Sequence, residues 1–508
     1  MTAPWWKTAV LYQIYPRSFR DSDGDGVGDL EGIRSQLPYL RRLGVDGVWL
    51  SPIYASPMAD FGYDVSDHCD VHPLFGGLPA FDRLLAGAHD QGLKVMLDWV
   101  PNHTSDRHPW FVDSRSSRTS PRRNWYVWRD GREGQPPNNW VAAFGGRAWT
   151  FDDATGQWYL HLFLPEQPDL DWGEPGVEAA MHGVLRFWLD RGVDGFRADV
   201  VHLIGKDPDL ADLPPGVHLA KVNTHESAHP RLRGIRAVLD SYPGDRAMVG
   251  EVNLASADLL APYYGDGDEL HLVFNFTLLR APWDAAHWAE RIAESEAALL
   301  PVGGWPVYVL SNHDEVRHRS RYGGAEDRAR VAAAVLLTLR CTPFLYAGEE
   351  LGLEDAVVPD EARVDPGGRD GCRAPVPWDT EPGHGWAGDP WLPWPPDAGA
   401  RSAAAQEDDS ASILHLYRRL LAARRASPAL HAGAYEPLDA PAGVLAYERR
   451  AGDDRRRVWA NFGAEAVGCE GGWVVEVSTT GEGEGAAWDG RLGPVEAVVV
   501  RPGTVGRQ

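Results

Sequence analysis

The chain is predicted to be α/β, a closed (β/α)8 TIM barrel with an insertion after its third strand and a small antiparallel β domain at its C-terminus. Three observations predict this. Eight short apolar runs alternate in order with helix-patterned segments. Strands linked through helices pair in parallel, because parallel neighbours cannot be joined by a tight hairpin. Several of the runs also end on a carboxylate, at the strand ends where a barrel of this kind carries its active site. A doubly wound open sheet is the structural alternative, but no GxGxxG follows the first run.

The runs, in order, are Val10–Tyr15, Gly47–Leu50, Lys94–Asp98, Gly195–Asp199, Ala247–Glu251, His271–Asn275, Val307–Ser311 and Phe344–Ala347. Each is short and largely apolar, as a strand buried on both faces should be. Between them, apolar residues at helical spacing predict helices over Ile33–Leu43, Ala80–Gln91, Glu178–Arg191, Arg231–Ser241, Trp283–Leu300 and Ala329–Leu339. Two stretches break the alternation. About 65 residues after Asn102, through roughly Leu170, are rich in Trp, Arg, Pro and Asn and read as an inserted subdomain. The Pro/Gly/Trp-rich stretch from Glu354 to about Asp409 has little periodicity, and loops of that length in a compact domain are usually lids or binding loops. After a helix over Ile413–Ala426, the runs Gly443–Tyr447, Arg457–Ala460, Gly472–Val477 and Val495–Val500 predict the C-terminal β domain.

Composition narrows the function. The 508 residues carry a net charge of −24, which repels phosphate backbones and anionic lipid, so neither nucleic acid nor a membrane surface is expected as a partner. The start lacks a basic and then apolar leader, and no run approaches 18 apolar residues, the longest candidate being Val331–Leu339. Four scattered cysteines without a CxxC pair argue against a disulfide scaffold or zinc cluster and fit a reducing, cytoplasmic setting.

The strand ends carry the chemistry. The third run leads into Asp98-Trp-Val-Pro-Asn102-His103, the fourth ends Arg197-Ala-Asp199, the fifth ends at Glu251, and the seventh is followed by Asn312-His313-Asp314. Asp60-Phe-Gly-Tyr63-Asp64 follows the second. One such carboxylate is more often a helix cap or surface ion pair, but four strand ends acting together point to a site. Carboxylates with arginine and histidine, without thiol or redox motifs, suit cleavage of a glycosidic bond. One carboxylate attacks the anomeric carbon while a second, protonated, hands its proton to the departing oxygen. Arg197, two residues before Asp199, shares its face and should keep it ionised as a nucleophile. Glu251, with no arginine two residues away, is expected to hold the proton. Double displacement places the two about 5 Å apart.

These segments, with Gly195-Phe-Arg-Ala-Asp-Val200, resemble the conserved regions of the α-amylase superfamily (glycoside hydrolase family 13). Gln167-Pro-Asp-Leu-Asp171 resembles the segment that marks the oligo-1,6-glucosidase/α-glucosidase branch. The resemblance implies a catalytic barrel (domain A) from residues 1–102 and 171–435, a domain B from 103–170, and a β-sandwich domain C from 436–508. It implies Asp199 as nucleophile, Glu251 as acid/base, and Asp314 as a third carboxylate gripping sugar hydroxyls. His103, His313 and Arg197 would surround the glucose, Tyr63 would lie beneath it, and Phe163 would form a wall. Asp60 and Arg373 would pair to close the pocket over the non-reducing end, and Asp98 would support Arg197. Val200 matches a residue that accompanies α-1,6 preference in this branch. Two residues depart from the pattern: Asp171 stands for Asn, and Glu315 for an apolar residue, both expected to bear on the leaving-group side.

Asp21-Ser-Asp23-Gly-Asp25-Gly-Val27-Gly-Asp29 spaces carboxylates alternately through a glycine-rich loop, like the first half of an EF-hand, although the twelfth position is Gly32. The family resemblance implies a structural Ca2+, or Mg2+, held by Asp21, Asp23, Asp25, the Val27 carbonyl and Asp29, with no cofactor needed for catalysis. The 22 tryptophans exceed the 16 tyrosines and 14 phenylalanines, which fits a sugar binder even though most such rings fill cores.

The expected function is a cytoplasmic retaining exo-α-glucosidase, monomer or homodimer, acting on short α-glucosides with some transglucosylation. A glucosyltransferase or isomerase of the same fold, of the sucrose isomerase or trehalose synthase type, is the alternative. A non-catalytic amylase-fold protein is the remote one, disfavoured because Asp199, Glu251 and Asp314 are all present.

Overall fold

A computed structural model describes residues 3–503. Eight parallel strands close into a barrel: β1 (Leu11–Ile14), β2 (Gly47–Leu50), β3 (Lys94–Trp99), β4 (Gly195–Ala198), β5 (Ala247–Gly250), β6 (Leu272–Asn275), β7 (Pro306–Val309) and β8 (Thr342–Tyr346). Each pairs with its sequence neighbours, and β8 closes on β1 through Leu11–Phe344 and Tyr12–Leu345. All eight expected runs are barrel strands. The two-residue period sorts their side chains. Leu11, Trp49, Met96, Val249, Phe274, Val307 and Phe344 fill the interior, whereas Tyr12, Val48, Val95, Phe196, Met248 and Leu345 face the helices.

The expected helices form with end shifts of a few residues, except the first. There, Leu30–Ser35 and Leu37–Leu43 are separate helices. Pro38 has no N–H and its ring excludes the preceding turn, so it is tolerated only at the start of a new helix. Gly44, at φ 104, ends the second helix in the left-handed region that a side chain resists.

The insertion carries a three-stranded antiparallel sheet in the order Trp128–Arg129, Gln157–Leu160, Trp149–Asp152. Phe111 and Tyr126 pack against Trp128 and Tyr159 of this sheet as an aromatic cluster. Its tryptophans 128, 140 and 149 are buried, so here the Trp excess builds a core. Bridges from His103 to Asp169 and from Tyr126 to Leu170 return the chain to the barrel.

The C-terminal region is a six-stranded antiparallel sheet over which the ribbon Val467–Gly468 with Arg491–Leu492 forms a small second layer. The opposite face, with Leu445, Tyr447, Val458 and Val499, packs into the barrel's helical core. Helix Glu326–Thr338 lies at this junction and is buried continuously from Val331 to Thr338. That explains its all-round apolar sequence: a helix covered on every side needs no polar face. Its final carbonyls are taken by two buried arginines. Arg424 donates to Leu337 and Leu339 at 2.9 and 3.1 Å, and Arg449 to Thr338 at 2.5 Å.

The long stretch after β8 folds back over the barrel mouth. Trp378 Nε1 donates to the Phe19 carbonyl at 2.7 Å, and Trp391 N to Gly26 O at 2.9 Å. It is thereby tied to the acidic loop that follows β1.

Candidate active site

Strand ends place the polar residues around one cavity of about 370 Å3. Asp199 follows β4, its amide bonded to Trp99 O at 2.8 Å, and Glu251 follows β5, its amide bonded to Ala198 O at 2.9 Å. The barrel's own hydrogen-bond ladder therefore continues through both residues. Asp314 follows β7, with its amide and that of Glu315 both capped by Asn312 Oδ1 at 2.9 Å.

One guanidinium holds the centre. Arg197 Nη1 donates to Asp98 Oδ1 and Asp199 Oδ1, both at 2.8 Å, and Nη2 donates to Glu251 Oε2. Three carboxylates thus share one buried cation. This corrects the expected contrast between an arginine-paired Asp199 and an unpaired Glu251: adjacent strands bring Glu251 within reach of the same fork. Burial pushes the Asp199 carboxyl well above the ordinary range, with Glu251 and Asp98 adding to the rise and Arg197 opposing it. Asp98 is likewise pushed up by burial, to about 6. Like charges this crowded favour retention of a proton within the set.

Tyr63 lies parallel to His313, ring centroids 5.5 Å apart. The Gln13 amide sits 2.7 Å from His313 Nδ1, which assigns that nitrogen as acceptor and the hydrogen to Nε2, 2.5 Å from Tyr63 OH. Tyr63 in turn donates to Asp98 Oδ2 at 3.0 Å. Burial, against the pull of Asp314, pushes the His313 imidazole down to about 3, so it is neutral at pH 7. Burial likewise pushes His103 down to about 3. Burial opposes charge on Asp314 too, but the Arg369 and Arg373 guanidiniums, at 2.9 and 3.2 Å, hold its carboxyl far below the usual range.

Asp60, Tyr63, His103, Phe163, Asp199, Val200, Glu251 and Asp314 line the cavity, with Arg197 and His313 bonded directly behind them. Arg373 does not pair with Asp60. It is fully buried, donating to His313 O at 2.8 Å and pairing with Asp365 at 3.0 Å and Asp314 at 3.2 Å. The partner of Asp60 is Arg369, at 2.6 Å, and Arg369 lines the cavity. Both arginines belong to Gly368-Arg-Asp-Gly-Cys-Arg373, where the intervening 3-10 turn aims them differently. Phe144, beneath the Arg369 guanidinium at 5.1 Å, is a further wall residue that sequence reasoning missed.

Val200 adopts φ 34 and ψ 42, the left-handed region that costs a β-branched residue about 1–3 kcal/mol. That turn directs its N–H toward Glu251 Oε2 at 3.3 Å. Of the two departures, Glu315 lines the cavity, whereas Asp171 borders a separate hollow with Lys206 and Arg231.

In the acidic loop, oxygens of Asp21, Asp23 and Asp29 lie within 4.8 Å of one another, a hard-oxygen set that could hold an ion such as Ca2+ or Mg2+. Asp25 stands outside this group, and its carboxylate accepts the Val27 N–H at 2.8 Å. Asp29 also caps the following helix through Gly32 N at 2.7 Å. No helix among the described residues is long and apolar enough to cross a membrane.

A (β/α)8 barrel with three carboxylates at its strand ends, two of them on one guanidinium, defines a glycoside hydrolase. The family described as alpha amylase, catalytic domain, matches residues 13–433, and the chain belongs to it. A probable alpha-glucosidase of Rhizobium meliloti (strain 1021) is 43% identical over 500 residues, covering 91% of this chain and 90% of the relative. An oligo-1,6-glucosidase of Parageobacillus thermoglucosidasius is 37% identical over 516 residues, covering 91% of each. The crystal structure of the alpha-glucosyl transfer enzyme XgtA superposes with a TM-score of 0.92 at 42% identity, over 99% of this chain and all of that one.

Proposed function

We propose that the protein is a retaining exo-α-glucosidase that releases terminal glucose from short α-glucosides, with some transglucosylation. Catalysis is assigned to the barrel segments 1–102 and 171–435, with residues 103–170 supplying a wall and 436–508 support. The observation that carries this reading is the Asp60–Arg369 pair across the inner end of a cavity holding Asp199, Glu251 and Asp314. A cavity blocked there admits a chain end but not the middle of a polymer.

Asp199 attacks the anomeric carbon while Glu251 protonates the departing oxygen, and Glu251 then removes a proton from the incoming water. Asp314, held ionised by its arginines, accepts hydrogen bonds from sugar hydroxyls. The loop of Asp21, Asp23 and Asp29 would hold a cation that stiffens the fold and takes no part in bond breaking. Product analysis on maltose, isomaltose, sucrose and trehalose tests the reading. Free glucose released first as the α-anomer is expected, and β-glucose as first product would reject it.

A second reading, transfer or isomerisation as the main activity, draws support from the likeness to XgtA. Rearranged disaccharide in place of glucose would establish it.

A further inference from the structure

Gln13 is a polar residue in an apolar place. It stands two residues after Leu11 on β1, so it faces the barrel interior, and it is 2% exposed. Its neighbours in the ladder are Trp49 and Tyr346. A carboxamide buried there costs stability unless its hydrogens find acceptors. They do: Nε2 lies 2.7 Å from His313 Nδ1 and 3.2 Å from Ser51 Oγ.

A chain of hydrogen bonds starts at that contact, and its direction is fixed from the far end. Burial pushes the Asp98 carboxyl up only to about 6, so at pH 7 it is ionised and can only accept. Its Oδ1 takes Arg197 Nη1 at 2.8 Å, and its Oδ2 takes the Tyr63 hydroxyl at 3.0 Å. Tyr63 has one hydrogen, so toward His313 Nε2, 2.5 Å away, its oxygen can only accept. Asp314 Oδ2, 3.4 Å from the same nitrogen, likewise favours a hydrogen on it. A neutral imidazole carries one hydrogen, which leaves Nδ1 bare and in need of a donor. Gln13 supplies it. The ring is otherwise held by Tyr15 and Tyr63, stacked at centroid distances of 5.8 and 5.5 Å. The charges acting on it are those of Asp314, Arg373, Arg197 and Arg369.

We propose that Gln13 is a positioning residue that sets the tautomer of His313, and with it the direction of the chain Gln13 to His313 to Tyr63 to Asp98 that ends on Arg197. Run backward, the chain would turn the Tyr63 hydrogen toward His313, and Asp98 Oδ2 would lose its donor. Asp98 would then keep a proton, and Arg197 would face one carboxylate fewer beside Asp199 and Glu251. The effect on turnover rests on the retaining α-glucosidase reading, whereas the tautomer does not.

Gln13→Glu tests the direction. While the introduced carboxyl and His313 share an extra proton, the chain runs forward: either the acid donates to Nδ1, or an imidazolium keeps its Nε2 hydrogen. Once that proton is lost, the carboxylate accepts from Nδ1–H, Nε2 is bare, and the chain is reversed. The kcat/KM for 4-nitrophenyl α-glucoside, variant over unaltered chain, should therefore fall roughly tenfold between pH 6 and pH 9. That slope does not depend on the fraction of enzyme that folds. Gln13→Leu, similar in size but without a donor, should lower kcat/KM about tenfold with no added slope. Neutron diffraction of the unaltered protein at pH 7 should place deuterium on His313 Nε2 and none on Nδ1. A ratio constant within twofold across the range for Gln13→Glu, or deuterium on Nδ1, overturns the proposal. If the unaltered chain cleaves no α-glucoside, the α-glucosidase reading fails, and the deuterium position still decides the direction of the chain.

Discussion

Arg369 Nη2 lies 2.6 Å from Asp60 Oδ1, joining the long segment after β8 to the loop after β2 over the inner end of the cavity. Arg369 also reaches Asp314 at 2.9 Å and Asp365 at 2.7 Å, so one side chain ties the closed end to the third carboxylate.

Arg369→Ala should therefore raise KM for terminal glucosides and lower kcat/KM by about two orders of magnitude, the worth of one or two charge-assisted hydrogen bonds. Arg373→Ala should act differently. It removes a fully buried cation from Asp365 and Asp314, a loss of about 3 kcal/mol or more of stability. Steady-state kinetics on the first variant and thermal unfolding of the second separate the two roles; equal effects would refute the division.

Glu251→Gln should lower kcat on a disaccharide by about 10²–10⁴-fold while substrate still binds, since the amide fills the same space but has no proton to give. Asp199→Asn should lose more, because no covalent intermediate can form. Rates and substrate affinity measured on the purified variants check this, and near-normal turnover in either would remove its assignment.

Glu349 and Glu350 are buried together behind β8, receiving hydrogen bonds from the hydroxyls of Tyr12, Tyr39 and Tyr417. Burial pushes the Glu349 carboxyl up to about 8, whereas in the unfolded chain it would titrate near its ordinary value of about 4.3. The folded state thus binds this proton more tightly. Its contribution to stability is full below about pH 4 and is lost as pH climbs toward 8. Glu349→Gln, which cannot ionise, should gain stability relative to the parent between pH 5 and pH 8. A thermal-denaturation series across that range checks it, and an advantage that shrinks as pH rises would contradict the sign.

Chelation of divalent cations should lower the unfolding temperature, with Ca2+ restoring it, while the initial rate at 25 °C stays unchanged. Calorimetry with and without chelator is the measurement. Loss of activity without loss of stability would move the ion from the fold to the chemistry.

Val200→Thr should shift preference from α-1,6 toward α-1,4 linkages by about 10-fold, within the range available to one small group in a pocket. Relative rates on isomaltose and maltose decide it.

The barrel was legible because strands buried on both faces are written as unbroken apolar runs, and the carboxylates because strand ends locate them. Two features were not. Whether Arg369 or Arg373 meets Asp60 depends on how a short 3-10 turn rotates residues four apart, which spacing alone cannot say. That Arg197 serves Glu251 as well as Asp199 follows from strand adjacency, with Arg197 opposite Val249 in the ladder, and a reading confined to one strand overlooks it.

The burial of helix Glu326–Thr338 beneath the C-terminal sheet has a practical corollary for anyone trimming the protein. Ending the chain in the mid-430s would delete Arg449 and Tyr447, leaving the Thr338 carbonyl short of its donor, the Thr338 hydroxyl bonded only within its own helix, and a greasy rod facing water. Grafting the catalytic half onto another scaffold, or hanging a tag there, therefore requires carrying the tail along.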